Sequence, residues 1–368
     1  MVFTINTDSI KKLMAGLGNN VSRDKNSILG NYHINISTDS FVITATNETD
    51  QVSMSVPIQS DIESSFLVKS DFFDRLKFLS GDVVFSLENN VLKLQNNSFT
   101  TTVKTTQDDG YPLETIEDYN ILGNFSVKDI VDLSKVYIAS SKSESATREL
   151  MGVLIDIKNN AINFVATDRT RLFWNRKPIK DNLDFYCIVE KNAIQHLVRH
   201  IEESDSLTIL YKKDNEGNIV RIAFKFDSTI IISKTIKGKF PAYEKVILDN
   251  MENTKHAVVK RSDFKNALIK VLPLANSDLI YTDINFDNEN MEIKTANDGE
   301  EAIDIVSLQQ PITDPFSFTI SGKYLMDFLN SSQADILHIY YKEGKPIEIK
   351  AENGTGIEYR YVMVVVKK

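Results

Sequence analysis

The sequence predicts an α+β fold of three repeated domains, each with two helices packed on antiparallel sheets. Three observations predict it. A chain of 368 residues is too long for one ordinary core. One order of elements is written three times, with equivalent positions roughly 120 to 130 residues apart. Within each copy, period-two runs alternate with runs spaced i, i+3, i+4, i+7, so every sheet comes with an apolar helix face to cover it.

Each copy opens with a strand and a helix. These are Phe3 to Ile5 then Ile10 to Leu17, Phe125 to Val127 then Ile130 to Ile138, and Ala257 to Val259 then Phe264 to Leu272. Three strands separated by short polar turns follow. They run Gly30 to Ile36, Phe41 to Asn47 and Val52 to Val56 in the first copy, and Gly152 to Ile157, Ile162 to Asp168 and Arg171 to Trp174 in the second. In the third they run Tyr281 to Phe286, Met291 to Asn297 and Ala302 to Val306. A fourth strand then leads into a second helix, bearing Phe72, Leu76 and Leu79, then Ile194, Leu197, Val198 and Ile201, then Tyr324, Leu325, Phe328 and Leu329. Alternating tails such as Val83 to Leu87, Leu207 to Tyr211 and Ile336 to Tyr340 read as half-buried strands. The expected domains are 1–122, 123–249 and 250–368.

Composition is that of a globular protein, with 42% apolar and 25% charged residues. A single cysteine, Cys187, lies in a strand-like run, which argues against a disulfide framework or a cysteine metal cluster and for a reducing, cytoplasmic setting. The N-terminus alternates like a strand, so neither a signal peptide nor a membrane span is expected.

The formal charge of -9 argues, taken alone, against nucleic acid. Its distribution argues the other way. Six helices are expected at 8–17, 69–80, 127–142, 191–203, 260–271 and 322–330. They carry fifteen Lys and Arg against nine Asp and Glu, a net of +6 that leaves -15 for the rest. The carriers are Lys11, Lys12, Lys69, Arg75 and Lys77 in the first copy, and Lys128, Lys135, Lys142, Lys191 and Arg199 in the second. The third copy has Lys260, Arg261, Lys265, Lys270 and Lys323. Helices gathered on one face would draw phosphates to it while the remainder repelled them; the plainer reading is that amphipathic helices are simply Lys-rich on their solvated sides. Repetition in all three copies favours the first.

Catalytic constellations are thin. His196 and His200 stand at i, i+4, a metal-compatible spacing, but no third ligand accompanies them, so neither a metal nor a cofactor is expected. Phosphate-cradling glycine loops and nucleophile elbows are missing from the sequence, and Asp108-Asp109 reads as a turn before Gly110-Tyr111-Pro112. A non-catalytic protein is expected.

At Ala166-Thr167-Asp168-Arg169-Thr170-Arg171-Leu172 and at Gly238-Lys239-Phe240-Pro241-Ala242-Tyr243 the chain resembles the bacterial DNA polymerase III beta subunit family, the DNA sliding clamps. The family's motifs read Ala-Thr-Asp-Gly-His-Arg-Leu and Gly-Arg-Phe-Pro-Asp-Tyr. The closing Tyr361-Val362-Met363-Val364-Val365-Val366 is similar to the family's Tyr-Val-Val-Met-Pro-Met, and the likeness runs along the whole chain.

The resemblance implies a processivity subunit of a polymerase holoenzyme. Two copies of a three-domain chain would form a six-domain ring, helices lining the hole, around double-stranded DNA held without base readout. Besides the basic helix residues, it implies DNA contact at Arg23 and at Arg148. It also implies an apolar pocket for a short motif carried by the polymerase, the clamp loader and other partners. That pocket maps to Leu150, Thr167, Arg169, Thr170, Arg171 and Leu172, to Pro241, Lys245 and Val246, to Tyr324 and Pro346, and to Val362, Met363, Val364 and Val365. The homodimer surface maps to Phe99, Thr101 and Val103 on one side and Val271, Pro273 and Leu274 on the other. Arg169-Thr170 in place of Gly-His, and Val365 in place of Pro, mark a divergent copy with altered peptide preference. The alternative reading is a tandem-domain scaffold that binds proteins without encircling DNA.

Overall fold

The computed structural model describes residues 2–17, 24, 27–61, 63–143, 147–200, 205–247, 254–272, 281–297 and 300–366. The first repeat runs β1 (Val2–Asn6), α1 (Thr7–Leu17), β2 (Asn31–Ile36), β3 (Ser40–Thr46), β4 (Asp50–Pro57), β5 (Ser64–Lys69), a 3-10 segment (Ser70–Phe78), β6 (Asp82–Glu88), β7 (Val91–Asn96) and β8 (Phe99–Lys104). The second runs β9 (Asn120–Ser126), α2 (Val127–Ser134), β10 (Gly152–Lys158), β11 (Ala161–Thr167), β12 (Arg171–Pro178), β13 (Phe185–Glu190), α3 (Lys191–His200), β14 (Ser206–Lys213), β15 (Ile219–Phe226) and β16 (Thr229–Ile236). The third runs β17 (Lys255–Lys260), α4 (Arg261–Val271), β18 (Tyr281–Phe286), β19 (Asn290–Asn297), β20 (Glu300–Ser307), β21 (Phe316–Ser321), α5 (Gly322–Ser331), β22 (Ile336–Tyr341), β23 (Ile347–Glu352) and β24 (Glu358–Met363).

Two compact units contain these elements: Met1–Val127 with Gln195–Thr235, and Lys128–Ile194 with Ile236–Lys368. In the first unit, strands in the order β9-β14-β15-β16-β4-β3-β2-β5 share one antiparallel sheet, and β1-β6-β7-β8 form another. The second unit repeats the plan, with β17-β22-β23-β24-β12-β11-β10-β13 in one sheet and β20-β19-β18-β21 in the other. Each long sheet is two four-strand sets stitched across a repeat boundary. The seams are β4 on β16, with Asp50 opposite Ser233, and β12 on β24, with Arg171 opposite Met363.

The helix sides of the sheets hold the cores. In the first unit, Ile10, Leu13 and Leu17 of α1 are buried, and Phe3 stacks on Phe85 at 5.1 Å with Phe41 beside them. In the second, Phe173, Phe328 and Tyr361 form an aromatic cluster with centroids 4.8 to 5.4 Å apart. Burying such rings contributes roughly 1.5 to 3 kcal/mol each.

Two expected helices differ. The stretch 69–80 is a 3-10 segment over Ser70–Phe78, because adjacent Phe72 and Phe73 both need burial. Three residues per turn align Phe73 with Leu76 over the core and leave Phe78 exposed. The stretch 127–142 is α-helical only to Ser134 and tightens to 3-10 over Lys135–Ala139, where Val136, Tyr137 and Ile138 are poor helix formers.

Candidate partner pocket and nucleic-acid face

The motif around Asp168 folds as a rigid turn between β11 and β12. The Asp168 carboxylate accepts from the Thr170 amide at 3.0 Å, the Thr170 hydroxyl at 2.6 Å and the Arg171 amide at 3.0 Å. Thr167 braces the turn from its other end, its hydroxyl donating to the Arg171 carbonyl at 2.6 Å. Arg169 sits at φ +77°, a left-handed backbone that glycine adopts freely and an L side chain does not. The departure from the family's glycine therefore keeps the turn and adds strain to it.

Behind the turn, Arg171 is buried. Its guanidinium donates to Asp168 at 3.0 Å, to Asp327 at 2.7 Å and to the Ile138 carbonyl at 2.7 Å, and stacks 3.9 Å from the Tyr324 ring centre. Burial opposes its charge, and the surrounding phenol and carboxylates outweigh that, so Arg171 stays protonated. The sequence marks Arg171 as a pocket cation; its charge is turned to these internal partners.

An apolar cleft of about 190 Å³ opens on the other side of the sheet from the helices. Cross-strand neighbours Leu172 and Val362 lie along it. One wall comes from Pro241, Ala242, Tyr243 and Val246, on the segment that follows β16; Pro346 and Val364 contribute opposite. That segment is pinned in several places. The Phe240 amide donates to the Tyr186 hydroxyl at 2.7 Å, the Tyr243 hydroxyl donates to Asp156 at 2.7 Å, and Tyr243 meets Trp174 edge-on at 5.1 Å. Its turn begins at Gly238, at φ +131°, where an added Cβ would fall 2.2 Å from a Glu149 carboxylate oxygen. The Val364 amide donates to the Thr170 carbonyl at 3.0 Å and closes the rim. Val246 and Val364 are about half exposed, at 47% and 51%, so the rim offers uncovered apolar surface.

Of the sequence-predicted pocket residues, the structure gathers Thr167, Arg169, Thr170, Arg171, Leu172, Pro241, Val246, Pro346, Val362 and Val364 around this cleft. Leu150 and Met363 are buried outside its lining, Tyr324 lies against Arg171, Lys245 is exposed on the Tyr243–Val246 turn, and Val365 follows the rim. Ala242 and Tyr243 were missed as lining residues, although both stand inside the motif that located Pro241.

The basic residues are more dispersed. Lys12 and Arg199 line a recess of about 500 Å³ in the first unit, beside Ser9 and Asp227. Lys11 pairs with Asp8 at 3.7 Å, and Arg75 donates to the Thr101 hydroxyl at 2.7 Å. Lys128, Lys142 and Lys260 are exposed, with Lys142 beyond the helix end and Lys69 and Lys260 closing strands. Lys135 pairs with Asp132, Arg148 with Glu190 and Lys270 with Asp304. Arg261 donates to the Leu329 and Ala334 carbonyls at 2.9 and 2.7 Å, at the end of α5. Lys265 is half-buried on α4. Burial, with Lys142 and Arg171 adding to it, pulls the half-buried Lys191 ammonium down to about 8. Arg23, Pro273, Leu274 and the side chains of Lys77 and His200 lie outside the described residues. On the expected dimer surface, Phe99 is exposed on β8, Val103 is half-buried and Val271 is buried in α4.

Among the described residues, no three His, Cys, Asp or Glu gather as a metal site, and no helix is long and apolar enough to cross a membrane.

Residues 126–242 match the family model of the DNA polymerase III beta subunit, central domain. Over those residues the chain resembles the DNA polymerase III beta subunit family. It is similar to the beta sliding clamp of Buchnera aphidicola subsp. Acyrthosiphon pisum, 22% identical with all of both chains covered, and to that of Proteus mirabilis, 23% identical over 92% of each. Among solved structures, the sliding clamp of Bacillus subtilis superposes with a TM-score of 0.87 at 17% identity, covering 100% of this chain and 99% of that one. The Bartonella birtlesii clamp bound to griselimycin gives 0.87 at 20% identity with full coverage of both. The fold is therefore that of the sliding clamps.

Proposed function

We propose that the chain is a non-catalytic DNA sliding clamp of three domains, 1–122, 123–249 and 250–368. Two copies close head to tail around double-stranded DNA and tether a polymerase, a clamp loader and other motif-bearing partners at the cleft over Leu172. Retention on DNA comes from topology. Weak, salt-screened phosphate attraction keeps the ring free to slide, since a base-specific contact would pin it. The setting is the bacterial cytoplasm.

The observation that carries this reading is the pair of seams. In the repeat, β4, β12 and β20 are equivalent, and so are β8, β16 and β24. Two of the three possible seams are made within the chain, β4 with β16 and β12 with β24. The strands left over, β20 and β8, are edges of their four-strand sheets, with Phe99, Ile303 and Ile305 exposed. An open, partly apolar edge favours pairing, and a head-to-tail pairing that closes the ring covers both of these edges. The register follows from the existing seams. Val52 faces Ile231 and Phe173 faces Tyr361, so Ala302 should face Thr101 of a second copy, and Glu300 should face Val103.

Charge agrees with that register. At the β12 seam, Arg171, the first residue of its strand, binds Asp327, the sixth residue of α5. The equivalent positions at the open seam are Glu300 and Arg75, opposite charges in reversed order. Sedimentation at micromolar concentration tests the reading: a species of twice the 41.7 kDa chain mass is expected, and a strict monomer would overturn it.

A further inference from the structure

We propose that His256 and His338 form a two-imidazole site for a divalent transition-metal ion, best suited to Zn2+. The residues stand on neighbouring antiparallel strands, His256 on β17 and His338 on β22, where Tyr340 is the direct partner of His256. The residue spacing puts both rings on one face of the sheet, and their nitrogens point at each other. His256 Nε2 lies 3.2 Å from His338 Nδ1, with the ring planes only 4° apart. Two nitrogens each about 2.0 to 2.1 Å from a zinc ion and separated by this distance subtend about 100°, between square and tetrahedral angles. Both rings must turn, by about 40° each, for the lone pairs that now face each other to meet on one ion.

The surroundings hold the pair in place. Tyr340 stacks on His256 at 4.5 Å and fixes its plane. Lys350 is the cation nearest in register to His338, and its ammonium is held over the Tyr340 ring and 3.6 Å from the buried Glu348 carboxylate. Beside the pair, Ile336, His338, Tyr340, Lys350 and Arg360 line a recess of about 340 Å³, room for waters or an incoming donor to complete the coordination. An all-nitrogen pair with open positions suits zinc, nickel or copper and excludes magnesium, which takes oxygen ligands.

Calorimetric titration of the full chain with Zn2+ at pH 7.5 tests the site, using His200→Ala as background so that the α3 histidine pair contributes nothing. One ion per chain is expected, with affinity falling at least about tenfold in His256→Asn and in His338→Asn. Circular dichroism checks that the variants fold. Mg2+ at the same concentration should give no heat that depends on either histidine. Unchanged zinc affinity and stoichiometry in the His256→Asn, His338→Asn double variant would overturn the proposal, as would the absence of any zinc binding by the parent.

Discussion

Arg171 binds Asp327 at 2.7 Å while the same guanidinium donates to the Ile138 carbonyl, so one buried side chain ties β12 to α5 and to the 3-10 segment after α2. Removing one partner of such a group strands the others without hydrogen bonds. Arg171→Met should lower the unfolding free energy of the second unit by about 2 to 4 kcal/mol, read by urea denaturation. A loss below about 0.5 kcal/mol would show that the network contributes nothing net.

Arg169 carries the strain of a left-handed backbone at the pocket turn. Arg169→Gly relieves roughly 1 to 2 kcal/mol and gives back about half of it as extra freedom of the unfolded chain. A stability change between zero and about +1 kcal/mol is expected. The same change removes a cation from the cleft rim. Peptides with an acidic flank should bind several-fold more weakly, while peptides with a neutral flank are unaffected, as fluorescence anisotropy would report.

Leu172 and Val362 are cross-strand neighbours lining the cleft, and a carboxylate at that point would meet only apolar walls. Leu172→Asp is expected to abolish polymerase stimulation while the sedimentation profile keeps the dimer. Loss of dimerisation would place residue 172 in the assembly instead of the pocket.

The charges at the open seam predict a reciprocal pair of variants. Arg75→Glu should weaken the dimer at least tenfold at low salt, and adding Glu300→Arg should restore it, whereas either variant alone gives like charges across the seam. Failure of the double variant to recover would reject the register that sets Glu300 near Arg75.

Part of the acid sensitivity should trace to Asp108. Its carboxylate accepts from Ser65 at 2.5 Å and meets His33 at 3.0 Å, and these hydrogen bonds hold it below the usual carboxylate range. A carboxyl with a lowered native pKa stabilises the fold above its unfolded value, about 4, and that contribution fades as pH falls through the native value. Melting curves of the parent should decline below about pH 4, and Asp108→Asn should flatten that decline at a cost of about 1 kcal/mol at pH 7.

Much of the fold was legible because its signals are local. The alternation of β10 to β12 and the apolar stripe of α1 need only neighbouring residues to be read. What pairs with what across a repeat boundary is not local. Nothing in the periodicity of Asp50 to Met54 announces that the strand lies against Thr229 to Ser233, and that seam carries the functional argument. The site behaved likewise. Motif residues Thr167 to Leu172 were found by pattern, but small Ala242 leaves no signature as a wall, and the sequence cannot show that Arg261 spends its guanidinium on the carbonyls of Leu329 and Ala334. Helix charge is therefore readable as a total, and its partners only from the fold.

Retention on circular DNA tests the central claim most directly. A closed ring loaded onto nicked circular duplex should remain bound through a salt wash that strips electrostatic binders, and should be released when a single cut linearises the circle. Equal loss from circular and linear DNA, or retention on both, would contradict encirclement.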